Sequence, residues 1–162
     1  MIEPIVEYLP LEPAESRRGA NWEIFNHAPN GISRHYLREV RELMQKSRGI
    51  YIFYDSRACA LYVGKTEKRD LWFEANQAYN RDRKDHQEIL LVGHPENNVT
   101  KIIRDRKISS TEVRLHDIAS YISVYAIRDE QQIPQMEAIL IRAFANNLLN
   151  KKIESFRLAI EE

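Results

Sequence analysis

Of the chain's 162 residues, 43% are hydrophobic and 30% charged, the proportions of a soluble globular protein long enough to bury a core without disulfides or metals. Lys plus Arg balance Asp plus Glu at 24 each, but Glu3, Glu7, Glu12, Glu15, Glu161 and Glu162 sit at the two ends; residues 16–160 keep a weak basic bias, compatible with a phosphate-binding surface. Cys59, the only cysteine, excludes a disulfide framework and a cysteine-based zinc site and makes a reducing compartment the default.

Residues 1–30 hold four of the six prolines, Pro4, Pro10, Pro13 and Pro29. Proline removes a backbone donor and disfavours helix in the residue before it, so this stretch reads as an irregular arm. An arm of this kind can wrap the body, join a homodimer or lie on a ligand. Residues 31–162 read as the folded domain. From Ser33, a good helix cap, Tyr36, Leu37, Val40, Leu43 and Met44 recur at three- and four-residue spacing and predict an amphipathic helix to about Lys46. The segments IYIFY and ALYVG that follow are aromatic and β-branched, and Asp55 to Cys59 between them is turn-like, so a hairpin is predicted. Thr66 is placed to cap a helix through Leu71, Ala75 and Tyr79. Residues 94–98 read as a loop, and 109–120 leave room for a short helix. YISVYAI, residues 121–127, alternates as a third strand. Pro134 suits the first turn of a helix running to about Asn147, and a last short helix is expected around 153–160. The chain lacks a basic region followed by a long apolar run, and no stretch approaches membrane-spanning length, so a cytoplasmic protein without a membrane partner is expected.

Chemistry can sit in three places. If Asp55 and Ala60 close the hairpin turn, Tyr51 faces Gly64 and Phe53 faces Tyr62, and all four share one face of the sheet. A glycine opposite a tyrosine leaves room for a phosphate to approach the phenol; the plainer reading is aromatic cross-strand packing. On the C-terminal helix, Gln135, Arg142 and Asn146 form a solvent stripe, and Glu137 lies about 200° from Gln135, at about 100° per residue. Its stripe neighbours are Ile133, Leu140, Ile141, Phe144 and Leu148. A carboxylate on an apolar face is costly unless paired or metal-bound. Glu137 is therefore either a functional carboxylate or half of a buried salt bridge. Third, Arg81, Arg83, Lys84 and His86 in NRDRKDH can clamp a phosphate, or can be the solvated end of a helix. His35, His94 and His116 have no partners at metal-ligand spacing.

In order along the chain, Gly49-Ile50-Tyr51, Tyr62-Val63-Gly64-Lys65, Glu137 and then Asn150 in LLNKK resemble the GIY-YIG nuclease superfamily over about residues 48–152. The resemblance implies an α+β fold, a small three-stranded antiparallel sheet flanked by helices, and divalent-metal-dependent endonuclease hydrolysis of phosphodiester bonds in DNA. It makes Tyr51 the general base or the group that positions the attacking water, assisted by Tyr62 and Lys65. Glu137 becomes the ligand of a Mg²⁺ or Mn²⁺ ion, and Asn150 orients the site or contacts the phosphate. The family usually carries its essential arginine eight residues beyond the YIG glycine, where this chain has Trp72. Arg81 or Arg83, with His86, is expected to take that part, with Arg69 a further candidate. The rival from another class is a non-catalytic nucleic-acid-binding or assembly module on the same fold. A phosphotransferase is poorly supported, since no glycine-rich phosphate loop is present.

Overall fold

The GIY and YVG triplets lie on paired neighbouring strands. In the computed structural model, which describes residues 1–12, 14–15, 22–25, 32–81, 88–92, 108–112 and 114–144, the triplets belong to strands of six residues each. The strands and helices, in chain order, are β1 (Ile2–Pro10), β2 (Ala14–Glu15), β3 (Trp22–Glu23), α1 (Ile32–Lys46), β4 (Gly49–Tyr54), β5 (Ala60–Lys65), α2 (Leu71–Asn80), β6 (Glu88–Val92), β7 (Ile108–Glu112), α3 (Leu115–Ile118), β8 (Tyr121–Ile127) and α4 (Ile133–Ala143). The main sheet is antiparallel, in the order β1-β8-β4-β5, and the shorter pairs β2-β3 and β6-β7 stand apart from it. The chain is thus a mixed α and β protein, as expected.

The sheet has four strands where three were expected. The fourth comes from the segment read as an irregular arm: Ile2 pairs with Ile127, Val6 with Val124 and Pro10 with Tyr121. Prolines misled here because β1 is an edge strand, and an edge tolerates proline where an inner strand does not. Its register shifts twice, between Pro4 and Val6 and between Val6 and Leu9, and Tyr8 adopts a left-handed φ of 49°.

The hairpin register is the expected one. Tyr51 pairs with Gly64, Ile52 with Val63 and Phe53 with Tyr62, until a bulge near the turn brings Tyr54 opposite Ala60. Asp55 holds that turn, its Oδ1 accepting from Arg57 N at 2.8 Å and Cys59 N at 2.9 Å.

Helices cover both faces of the sheet. On one, Leu37, Val40 and Met44 of α1 and Leu71, Ala75 and Tyr79 of α2 pack with Tyr51, Phe53, Ile122 and Val124. On the other, Ile133 and Ile141 of α4 pack with Ile50, Ile52 and Val63. Burial of each such aliphatic side chain contributes about 1.5–3 kcal/mol before conformational entropy is subtracted. The buried stripe of α1 is narrower than expected, since Tyr36 and Leu43 are half exposed.

Two caps differ from expectation. Ser33 is not the cap of α1, which already starts at Ile32 and has Ser33 as its second residue. Thr66 does not cap α2; it is buried, and its Oγ1 accepts from Gly49 N at 2.9 Å while its own N donates to Gly49 O at 3.0 Å. The helix begins five residues later, where Asp70 Oδ1 accepts from Phe73 N at 2.8 Å. The C-terminal helix α4 ends at Ala143 with Phe144 as its C-cap, earlier than the expected Asn147. Residues 94–98 and the short helix around 153–160 lie outside the described residues. The ambiguous stretch 109–120 resolves into the end of β7 and the single-turn α3.

Candidate active site

Gly64 is where the two triplets become one piece of geometry. A Cβ built on it would overlap Cζ and the hydroxyl of Tyr51, so the phenol lies across bare backbone at the β5 edge. No other residue at position 64 leaves that hydroxyl where it is. The Tyr51 ring is almost fully buried, with Phe53 edge-on at 5.9 Å and Tyr62 tilted at 6.2 Å. Its hydroxyl donates to the backbone carbonyl of Glu74 in α2 at 3.2 Å. The aromatic-packing alternative therefore holds for the ring, while the hydroxyl borders a cleft.

The cleft encloses about 540 Å³, and Tyr51, Tyr62, Lys65, Arg69, Arg81 and Glu137 are among its lining residues. It wraps around the β5 edge. Tyr51 and Tyr62 reach it from the α2 side of the sheet, and Lys65, one residue past Gly64, from the α4 side. There Lys65 Nζ lies 3.2 Å from Glu137 Oε2 and 3.4 Å from Glu67 Oε1. Glu137 is buried between Ile133 and Ile141, the stripe position anticipated for it. The salt-bridge alternative is thus realised, and the same carboxylate lines the cleft. Burial pulls the Lys65 pKa down, but Glu137 and Glu67 outweigh it and hold the ammonium above its ordinary value, so Lys65 is cationic throughout the neutral range.

Helix α2 presents three sides. Leu71, Ala75, Ala78 and Tyr79 enter the core. Asn76 and Asn80 tie down the N-terminal segment: Asn76 Oδ1 accepts from Ile24 N at 2.9 Å, and the Asn80 side chain accepts from Trp22 N at 2.7 Å and donates to Trp22 O at 2.6 Å. The third side carries Phe73, Glu74 and Gln77 into the cleft, with Arg69 just before the helix and Arg81 at its C-cap. Trp72 falls between these sides. It is buried against Phe25 at 5.0 Å, with the Arg41 guanidinium 4.9 Å over its ring, and it lies away from the cleft. The position eight beyond Gly64 thus serves the core, and cations reach the cleft from Arg69 and Arg81.

The cleft brings together Tyr51, Tyr62, Lys65, Arg81 and Glu137 from the expected set. Arg83, His86 and Asn150 lie outside the described residues. Sequence reasoning missed Phe73, Glu74 and Gln77. Their signal was present: positions 69, 73, 77 and 81 repeat every fourth residue, opposite the apolar stripe of α2. The His116 ring stacks on Trp22 at 5.4 Å, and its Nδ1 lies 2.9 Å from Asp117 Oδ1.

Among the described residues no three His, Cys, Asp or Glu side chains converge as a preformed metal site. A hard divalent ion such as Mg²⁺ is commonly held by one or two carboxylates, with water and substrate phosphate completing its shell. Glu137, a buried carboxylate opening on the cleft, fits that arrangement.

Compared with protein-family models, curated proteins and solved structures, the chain gives no match. The GIY-YIG resemblance therefore rests on the motif residues.

Proposed function

We propose that the protein is a divalent-metal-dependent endonuclease of the GIY-YIG type that hydrolyses phosphodiester bonds in DNA. The observation that carries this reading is the convergence of Tyr51, Tyr62, Lys65, Arg81 and Glu137 on one cleft from four separate parts of the chain. Aromatic packing accounts for Tyr51 and Tyr62, and an ion pair accounts for Lys65 and Glu137. Neither accounts for both groups opening on the same cleft beside arginines.

Tyr51 donates its own proton to the Glu74 carbonyl, so as a neutral phenol it would act on the attacking water as an acceptor that orients it. To take that water's proton it must first lose its own; a phenol of pKa about 10 does so near neutrality only with cationic help. Glu137 is the residue that would hold Mg²⁺ or Mn²⁺, and the bound ion would supply Lewis-acid polarisation of the phosphoryl group. Lys65 fixes the Glu137 carboxylate, and Arg81, which lines the same cleft, would supply the cation that charge developing on a phosphate needs.

Glu137→Gln keeps the size of the side chain and removes its charge. Incubated with plasmid and with branched DNA in Mg²⁺, this variant should lose all measurable cleavage while still folding and binding DNA, with a lower melting temperature because the ion pair to Lys65 is gone. Cleavage at the parental rate would remove Glu137 from the mechanism. Absence of cleavage by the parent protein, together with retained DNA binding, would favour the second reading, a binding or assembly module. The observation on that side is the Lys65–Glu137 ion pair, which stabilises a fold with or without a reaction.

A further inference from the structure

Phe73 stands out in the cleft. It is 40% exposed, on a helix whose apolar side chains otherwise enter the core, and its cleft neighbours include Lys68, Arg69, Glu74, Gln77 and Arg81. The Arg69 guanidinium lies over its ring, 4.4 Å from the centroid, and covers one of its two faces. An exposed phenylalanine offers no hydrogen bond, only a flat π surface. In a polar cleft such a surface suits another flat π system.

Charge narrows what that system is attached to. Among the described residues no salt bridge engages Lys68, Arg69 or Arg81, whereas Glu67 and Glu137 are both taken by Lys65. Glu74 is the remaining carboxylate of the lining. The whole lining carries four cations, Lys65, Lys68, Arg69 and Arg81, against three carboxylates, Glu67, Glu74 and Glu137. The carboxylates at 67 and 137 gather on Lys65, so the Lys68, Arg69 and Arg81 side is the one that suits an anion. Between Arg69 and Arg81 stands the ten-residue helix α2, roughly 15 Å long at about 1.5 Å per residue. Nucleotides of a stacked strand rise about 3.4 Å each, so that length spans several phosphates.

We propose that the cleft binds a DNA strand with one unpaired base stacked on Phe73, the flanking phosphates held by Lys68 and Arg69 on one side and by Arg81 on the other. In a continuous duplex both faces of every base are covered by its neighbours. Phe73 therefore selects strands whose stack is already broken: single strands, flaps, gaps and mismatches. Arg69 contributes its guanidinium plane to the same platform. The inference rests on the nucleic-acid reading above and adds the class of substrate.

Binding and cleavage separate the two. A single-stranded oligonucleotide carrying one 2-aminopurine, and the fully paired duplex of the same sequence, are titrated with protein in EDTA at fixed salt. Anisotropy gives the affinity, and 2-aminopurine quenching reports stacking. The single strand should bind more tightly than the duplex and be quenched. Phe73→Ala should weaken single-strand binding by roughly five- to hundredfold, the usual range for loss of one base–aromatic stack, and abolish the quench. Phe73→Trp should restore both, and its recovery guards against misfolding of the alanine variant. Equal binding of single strand and duplex, unquenched fluorescence, or alanine and parent proteins alike in affinity would each overturn the proposal. Quenching without any cleavage in Mg²⁺ would leave it standing and defeat the nuclease reading. Cleavage of intact duplex by parent and Phe73→Ala at equal rates would do the reverse.

Discussion

Two groups of tyrosines lie on opposite faces of the same sheet, and their surroundings set them apart. On the α4 face, Tyr125 donates to Glu7 at 2.8 Å, and Tyr54 packs against Tyr8 with ring centroids 4.7 Å apart. Burial, with Tyr8 and Glu7 adding to it against a hydrogen bond from Ser123, pushes Tyr54 up to about 12. Burial and the Glu7 carboxylate push Tyr125 well above its ordinary value too. Those hydroxyls keep their protons under any physiological condition. On the other face, Tyr51 gives its proton to a neutral carbonyl and borders a cleft that also holds Lys65, Arg69 and Arg81. The residue type is the same. A carboxylate neighbour holds a tyrosine hydroxyl protonated, whereas cations favour its ionised form. It is the Tyr51 cleft that brings cations, together with Glu67, Glu74 and Glu137, to a tyrosine hydroxyl on this sheet.

Removing one hydroxyl from each group is the sharpest way to break that contrast. Tyr51→Phe keeps the ring and its packing, and cleavage should slow at least a hundredfold, toward the lower end of the roughly 10²–10⁴ contributed by a positioned acid or base. Its melting temperature should barely move. Tyr125→Phe should cleave at the parental rate and melt a few degrees lower, since it loses a hydrogen bond to a carboxylate. Stopped-flow single-turnover rates and thermal melts of both variants decide the matter. If Tyr51→Phe melts lower and cleaves normally, the two groups are alike and both are packing.

The arginines test the electrostatic half of the contrast, with a smaller expected effect. A group that stabilises transition-state charge lowers the rate on bound DNA, whereas a group that holds the backbone lowers affinity and its salt dependence. Arg81→Ala should reduce the single-turnover rate at saturating enzyme by roughly ten- to hundredfold, short of the effect of losing an oxyanion donor. Arg69→Ala should leave that rate unchanged while weakening binding and flattening the salt slope by about one counterion. Reversed signatures would put the transition-state cation before α2 instead of at its end.

Much of this arrangement could be read from the sequence because it depends on local periodicity. The hairpin register follows from the turn at Asp55 and the alternation around it, so Tyr51 opposite Gly64 was legible. The buried face of α4 follows from helical spacing, so Glu137 among Ile133 and Ile141 was legible too. What escaped depends on partners distant in sequence. β1 reads as a broken arm because its prolines are acceptable only at a sheet edge, and nothing local says that residues 2–10 lie beside 121–127. Trp72 looks like a lost arginine until Phe25 and Arg41 are seen to enclose it. Thr66 looks like a cap until Gly49, seventeen residues back, supplies its hydrogen bond.

Glu74 offers the smallest effect and the finest test, since it is the cleft carboxylate that Lys65 does not engage. Burial and the nearby Glu67 raise its pKa, Arg81 and Arg69 pull it back, Asp70 raises it again, and the net shift is upward. The folded protein therefore binds this proton more tightly than the unfolded chain does. The stabilisation from protonating it is complete below the ordinary glutamate pKa of about 4.3. It disappears as pH rises through the folded value, so at neutral pH the charged carboxylate is a mild burden on the fold. Glu74→Gln lifts that burden: its melting temperature should exceed the parent's by about a degree at pH 7, the group being mostly solvated and its electrostatics screened. Below about pH 4 the two melting temperatures should converge. Single-stranded DNA should also bind the variant somewhat more tightly, because a negative charge has left the phosphate path. A lower melting temperature at pH 7 would mean that attraction to Arg69 and Arg81 outweighs the cost of burying the carboxylate. Glu74 would then occupy those cations as Glu7 occupies Tyr125, and the cleft would resemble the structural cluster on the other face.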